Sequence, residues 1–324
     1  MVLLFPLLRA SLFGESLQPE QYKSLSAKEW EDLFKESVRQ NVAAIAWDGV
    51  QRLPKEVQLP VPVKMFWISE SEKTIEETLK RKAIAEELLC VFRDKGVNAT
   101  ILKGETVARC YPKPELRYYK DIDIYHGKDW KVANEIVKND LAVNAGPNTH
   151  HHSVYYYKGE KVENHFHLLN HYKYPSNIFF ESSLRKLFPS ATFDALFLLR
   201  HMACHFAVEK ISLRHLCDWM MFVQVHQNDV DWNLVQQYVE RYRMKSFVVN
   251  LHGILENEFH FDISWYPCQG RSDLEKKMIN DIFARQSGHQ RISDFFKNYW
   301  KFRITFNDPV SIALLSRVLS KVTH

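Results

Sequence analysis

Two aspartates one residue apart, Asp121 and Asp123 in the run Arg117-Tyr118-Tyr119-Lys120-Asp121-Ile122-Asp123-Ile124, are where this sequence points to chemistry. Alternate residues of a strand face the same side, so on a strand Asp121 and Asp123 point together, roughly 6.5–7 Å apart at Cα, while Ile122 and Ile124 face a core. Two carboxylates fixed side by side repel each other, and a divalent cation between them relieves that repulsion. Upstream, Thr100-Ile101-Leu102-Lys103-Gly104 reads as an apolar strand ending in a glycine turn, where the missing Cβ would let a phosphate approach the backbone. Carboxylates, cation and glycine turn together suggest metal-assisted phosphoryl or nucleotidyl transfer.

Such a site usually holds a third carboxylate. Glu163 is the candidate, because it lies on a later strand in the alternating run Val162-Glu163-Asn164-His165-Phe166-His167. Mg²⁺ (or Mn²⁺) suits carboxylates, phosphate oxygens and water. Lys103 and Arg117 are the candidate triphosphate contacts, Arg117 with a bidentate fork. Each piece alone has a plainer reading: a solvated strand edge for the aspartates, surface charge for Lys103 and Arg117. Their order and strand context carry the inference.

The elements around them read as helices on either side of a short mixed segment. Residues 1 to about 60 are helical, with breaks near Pro19 and Pro54. Ser26 stands three residues before Glu29, a capping box opening a helix with Trp30, Leu33 and Phe34 on one face. Pro54, Pro60 and Pro62 mark a loop, and a long helix follows from about Ile68 to Lys95, stopped at Gly96. Strands are predicted over 97–102 and 121–125, short helices over 106–110 and 130–137, and a hairpin turning at Lys158-Gly159. Helices are predicted over 192–207, 212–226, 231–243, 245–259, 272–286 and 309–321. The division is 1–65 helical, 66–170 an α/β core, 171–324 helical, an α+β chain in which a small mixed sheet is flanked by N-terminal helices and a C-terminal helical bundle.

The 324 residues are 46% hydrophobic and 25% charged, an ordinary globular balance. A net charge of +4 is too mild to imply nucleic-acid binding, though it suits an anionic ligand. The five cysteines form no C-x-x-C pair, which argues against a disulfide framework or zinc finger and for a reducing cytoplasm. The apolar start Met1–Leu8 lacks a basic lead and a cleavage site, and reads as the first turns of a core helix. No apolar run reaches a bilayer's width, so no membrane partner is expected.

The histidines admit several readings. His150-His151-His152 reads as an exposed loop before the hairpin, with metal binding as the alternative. His201 and His205, four apart, share a helix face; with Asp218 they form either a polar network between helices or a zinc site. His165 and His167 fall on the Glu163 face of a regular strand.

Leu102-Lys103-Gly104, Tyr111-Pro112, Arg117 and Asp121-Ile122-Asp123-Ile124 resemble the signature of the uncharacterised nucleotidyltransferase family within the DNA polymerase β-like superfamily. Softer similarities lie in Leu7–Leu12, Glu29-Trp30, Glu163-x-His165, His201, Leu213–Trp219 and Val230-Asp231-Trp232. The resemblance implies a nucleotidyltransferase fold with Asp121, Asp123 and Glu163 as metal ligands and catalytic residues, Lys103, Gly104 and Arg117 at the nucleotide, and NTP as substrate. One departure stands out: the superfamily's turn hydroxyl is replaced by the anion Glu105 after Gly104. The leading expectation is therefore an enzyme transferring a nucleoside monophosphate from an NTP to an acceptor that the sequence does not specify, whether small molecule, protein or RNA. The alternatives are a catalytically inactive nucleotide- or ligand-binding module on the same fold, motivated by Glu105, and a toxin- or antitoxin-like partner of RNA or protein.

Overall fold

The computed structural model describes residues 3–306, apart from 145, 147–148, 150, 172–173, 209, 268–273 and 285–291. Five helices come first: α1 (Leu4–Phe13), α2 (Glu20–Lys23), α3 (Ala27–Arg39), α4 (Ala43–Val50) and α5 (Val61–Asp94). α3 opens with a capping box, in which Glu29 N–H donates to Ser26 Oγ and Ser26 N–H to Glu29 Oε2. α5 starts seven residues before the predicted Ile68. Pro62 lies in its first turn, where a proline costs no hydrogen bond because that N–H has no helical acceptor. The prolines read as loop therefore open the helix, and the 65/66 division falls inside α5.

A four-stranded mixed sheet follows, in the order β1-β2-β4-β3. β1 (Thr100–Ile101) pairs antiparallel with β2 (Ile122–Tyr125), β2 runs parallel to β4 (Glu160–His165), and β4 pairs antiparallel with β3 (His152–Tyr157). β1 is shorter than the predicted 97–102, because Val97 N–H is spent on Phe92 O at the end of α5. Between the strands lie α6 (Gly104–Ala108) and α7 (Trp130–Asn139). Ile122, Ile124 and Val162 pack with Leu88 and Phe92 of α5 and Ala133 and Val137 of α7 in the sheet's own small core.

The rest is helical: α8 (Ser176–Leu184), α9 (Ala191–Val208), α10 (Leu213–His226), α11 (Trp232–Arg241), α12 (Lys245–Phe259), α13 (Glu275–Phe283) and α14 (Ile292–Thr305). α14 is an element the patterning above does not include. Lys301 sits buried against Asp281 at 3.0 Å, a charge that interrupts the apolar stripe by which a helix is read. The predicted helix 309–321 lies outside the described residues.

The two helical flanks share one core. Leu4, Phe5, Leu7 and Leu8 of α1 are buried, and the Phe5 ring meets Phe259 and Phe283 edge-on at 5.1 and 5.9 Å. Gln40, just after α3, donates to Ile282 O and accepts from Leu213 N–H, pinning α3 to α13 and α10. No helix among the described residues is long and apolar enough to cross a membrane.

Candidate active site on the central β2–β4 pair

The parallel pairing of β2 with β4 sets Asp123 directly opposite Glu163, with Ile122 opposite Val162 behind them. Because side chains alternate along both strands, Asp123, Glu163 and His165 emerge on the face opposite the small core. Asp121 precedes β2 by one residue on the same side. Its Oδ2 stands 3.7 Å from Lys161 Nζ, and that ammonium also contacts Glu163 Oε1. His165 Nε2 lies 2.8 Å from Asp123 Oδ1 and 3.3 Å from Glu163 Oε2. Asp123, Glu163 and His165 thus bring ligand atoms within 4.8 Å of one another, and Asp121 is linked to them through Lys161.

Electrostatics follow from this crowding. Asp121 titrates above the ordinary aspartate range, through burial and then the like charges of Asp123 and Glu163. Burial would raise Asp123 too, but Lys103 and His165 hold it well below that range. Glu163 is likewise held down, to about 2, because His165 and Lys161 outweigh its burial. His165 is raised: burial opposes its charge, and hydrogen bonds to Asp123 and Glu163 more than compensate. Asp123 and Glu163 are thus held as carboxylates by Lys103, Lys161 and His165, while burial and their charge push Asp121 toward its neutral form; a divalent cation among the three would relieve that crowding.

Lys103 reaches this corner through an uncommon backbone. It sits at φ +44°, and its Nζ lies 3.4 Å from Asp123 Oδ2. Gly104 follows at φ +34°, a region side chains seldom tolerate, and a Cβ there would touch the Tyr119 ring at 3.5 Å. Glycine is thus required by the turn itself, packed on Tyr119. Glu105 turns inward: it is buried, and its Oε1 accepts from Arg109 Nε at 2.9 Å.

Arg117 corrects the sequence reading. It does not open on the carboxylate corner. It is 2% exposed, and Nε and Nη2 donate to Asp218 Oδ1 and Oδ2 at 2.9 and 2.7 Å. Tyr111 and Arg214 complete the set around Asp218. Both Asp218 oxygens are thus taken, and His201, His205 and Asp218 do not form a metal-ligating group among the described residues, against the zinc reading of that trio. The segment ahead of β2 is fixed also by Arg81 of α5, whose guanidinium donates to Glu160 Oε2 at the start of β4, to Tyr119 O and to Glu77. Arg81 carries no local sequence signal, because its partners Glu160 and Tyr119 lie 79 and 38 residues away.

The histidines are also rearranged. β4 ends at His165, so His167 leaves the Glu163 face and stands 3.5 Å from Glu181. His152 is the first residue of β3 rather than an exposed loop, and the rings of His151, His152 and His165 cluster with centroids 4.1–5.5 Å apart. β3 is antiparallel to β4, so its first residue pairs with the last of β4; only the hairpin register, invisible in the sequence, makes them neighbours. Next to this corner Lys103, His151, His165, His201, Cys204 and His205 line a half-open cavity of about 180 Å³ between the sheet and α9. Burial, and then Lys103, hold His201 neutral.

The sequence profile of a family described as uncharacterised nucleotidyltransferases matches residues 26–259, from α3 through α12. This chain belongs to that family. The match takes in the whole sheet and the helices that face it, and the family's description supports nucleotidyl transfer as a general activity. No curated protein and no solved structure matches the chain.

Proposed function

We propose that the chain is a Mg²⁺- or Mn²⁺-dependent nucleotidyltransferase that moves a nucleoside monophosphate from an NTP to an acceptor hydroxyl or amine. The observation that carries this reading is the register pairing of Asp123 with Glu163, with Asp121 brought alongside by Lys161. Asp121, Asp123 and Glu163 would hold the cation, an all-oxygen set of the kind hard cations take. When bound, the cation neutralises phosphate charge and favours the deprotonated acceptor.

The chain's own residues supply the rest. Lys103 and Lys161, now spent on the carboxylates, are the fixed positive charges nearest the corner, and are positioned to take phosphate oxygens once a cation replaces them there. The acceptor attacks the α-phosphorus, its new O–P or N–P bond forming as the bond to the β-phosphate oxygen breaks, and pyrophosphate leaves. In-line geometry of this sort depends on positioning and electrostatics more than on covalent help from the protein. At about 180 Å³ the adjoining cavity falls below the roughly 300–1,000 Å³ of pockets that enclose a drug-sized ligand, so it suits one end of a nucleotide or an acceptor side chain rather than a whole NTP. Arg117 has a structural part in this reading, joining the segment before β2 to α10.

The non-catalytic alternative drew its motive from Glu105. With that carboxylate buried on Arg109, no anion from the turn need oppose the phosphates. Incubation of the purified chain with α-labelled NTPs and Mg²⁺ or Mn²⁺ tests the reading. Label transferred to protein, RNA or a small molecule, with pyrophosphate released by the wild type and not by Asp123→Asn, is the expected result. Tight Mg-NTP binding with no pyrophosphate from any of the four nucleotides and a broad acceptor mixture would favour the binding module.

A further inference from the structure

The corner that gathers the carboxylates also gathers imidazoles, and these have a chemistry of their own. His151, His152 and His165 each offer a ring nitrogen, the three lying within 4.8 Å of one another. In all three rings Nδ1 is sealed from solvent and has no hydrogen-bond partner. Buried polar nitrogens are nearly always paired, and three orphans of one kind in one cluster require an explanation. The nearest carboxylate, Glu163 Oε2, is 3.5 Å from His152 Nδ1, beyond a hydrogen bond. His165 belongs to both groups, because its Nε2 faces Asp123 and Glu163 while its Nδ1 stays free.

We propose that His151, His152 and His165 form a second metal site, distinct from the carboxylate corner and selective for Zn²⁺ or a comparable borderline-soft cation such as Co²⁺. Imidazole suits zinc and its neighbours, whereas carboxylate and water suit magnesium. Zn–N bonds of about 2.0–2.1 Å in a tetrahedral site put the nitrogens about 3.3 Å apart, so the rings close inward modestly on binding. Three protein nitrogens leave a fourth position open, the pattern of a catalytic rather than a structural zinc site. Two of the three ligands, His151 and His165, also line the cavity shared with Lys103, His201 and His205. His165, held through Nε2 by Asp123, is the orienting link between the two sites, since a carboxylate on a ligating histidine's other nitrogen fixes its ring and tautomer. The proposal concerns metal binding alone and stands whether or not the carboxylate corner transfers nucleotides.

The full-length chain, stripped with a chelator and dialysed, is titrated with Zn²⁺ by calorimetry in the presence of excess Mg²⁺. Wild type binds one equivalent of Zn²⁺ that Mg²⁺ does not displace. The double variant His151→Ala with His152→Ala loses that equivalent by more than about 100-fold, beyond the 10–100-fold that removing a supporting partner costs. Asp121→Asn, outside the trio, keeps it. Co²⁺ loaded into wild type gives the intense visible bands of a four-coordinate nitrogen site, a readout independent of how the variants fold. An octahedral, oxygen-type Co²⁺ spectrum, Zn²⁺ freely displaced by Mg²⁺, or Zn²⁺ affinity lost in Asp121→Asn but kept in the double histidine variant would each overturn the site.

Discussion

Lys161 and Lys103 show how much of this site is set by side chains that stand where charge must later be exchanged. Lys161 contacts Glu163 and lies 3.7 Å from Asp121, while Lys103 lies 3.4 Å from Asp123. Each ammonium competes with a cation for the carboxylates and then becomes available to an anion. Lys161→Ala should therefore tighten Mn²⁺ binding in the absence of nucleotide and weaken NTP binding in its presence, a reversal that paired calorimetric titrations would reveal. Lys103→Ala should weaken NTP binding by roughly 1.5–3 kcal/mol, the range for a hydrogen bond to a charged group. Equal NTP affinity in wild type and both variants would mean that neither lysine meets the phosphates. The aspartates, Glu163 and Lys103 were legible in the sequence because strand alternation and a glycine turn are local patterns. His151 and His152 were not, since their relation to Glu163 depends on the register of β3 on β4, and neither was the approach of Lys161 to Asp121, which depends on β4 pairing with β2.

At the scale of elements, the pieces that hold the site are buried ion pairs. Arg117 spans from the segment before β2 to Asp218 on α10, and Arg81 spans from α5 to the start of β4. Arg117→Ala leaves Asp218 buried with Arg214 and Tyr111 alone. It should cost about 3–5 kcal/mol of stability, as removing one member of a buried pair does. Urea denaturation measures this; a loss of nucleotide affinity with stability unchanged would return Arg117 to the phosphates. Gly49 offers a second test. A Cβ there would stand 2.2 Å from Leu7 O, because α1 and α4 touch backbone to backbone. Gly49→Ala should destabilise by at least the roughly 1–3 kcal/mol of an overpacked core, visible as a lowered melting temperature. Most helices were readable from period and caps, with α3 opening at Ser26 as its capping box indicated. The start of α5 and the whole of α8 and α14 were not; at α5 and α14 a proline in the first turn and a buried Lys301 imitate the signals that end or break a helix.

Across the whole molecule, the N- and C-terminal helices close into one core, and the sheet rests against it through α5, α6 and α10, with the cavity between the sheet and α9. The sequence indicated an α+β chain with helices on both sides of a small sheet, but left open whether the flanks meet, because contacts such as Phe5 on Phe259 link positions with no shared local pattern. The junction's stability should depend on pH through Asp218. Burial would raise its pKa, but Arg117 and Arg214 hold it below the ordinary value. A folded-state pKa below the unfolded one gives stability that is present at neutrality and lost as pH falls through the depressed value. The gap in urea midpoint between wild type and Asp218→Asn should therefore shrink from neutrality toward about pH 3; a gap constant with pH would assign the effect to packing. The central claim, that Asp121, Asp123 and Glu163 hold the cation that brings an NTP to this cleft, is tested most directly by calorimetric titration of Mn²⁺ with a non-hydrolysable NTP into wild type and the Asp121→Asn/Asp123→Asn double variant. The account predicts binding to wild type and a loss of several kcal/mol, on the order of a thousandfold, in a variant that melts no lower. Equal metal-dependent affinity in the two proteins would contradict it.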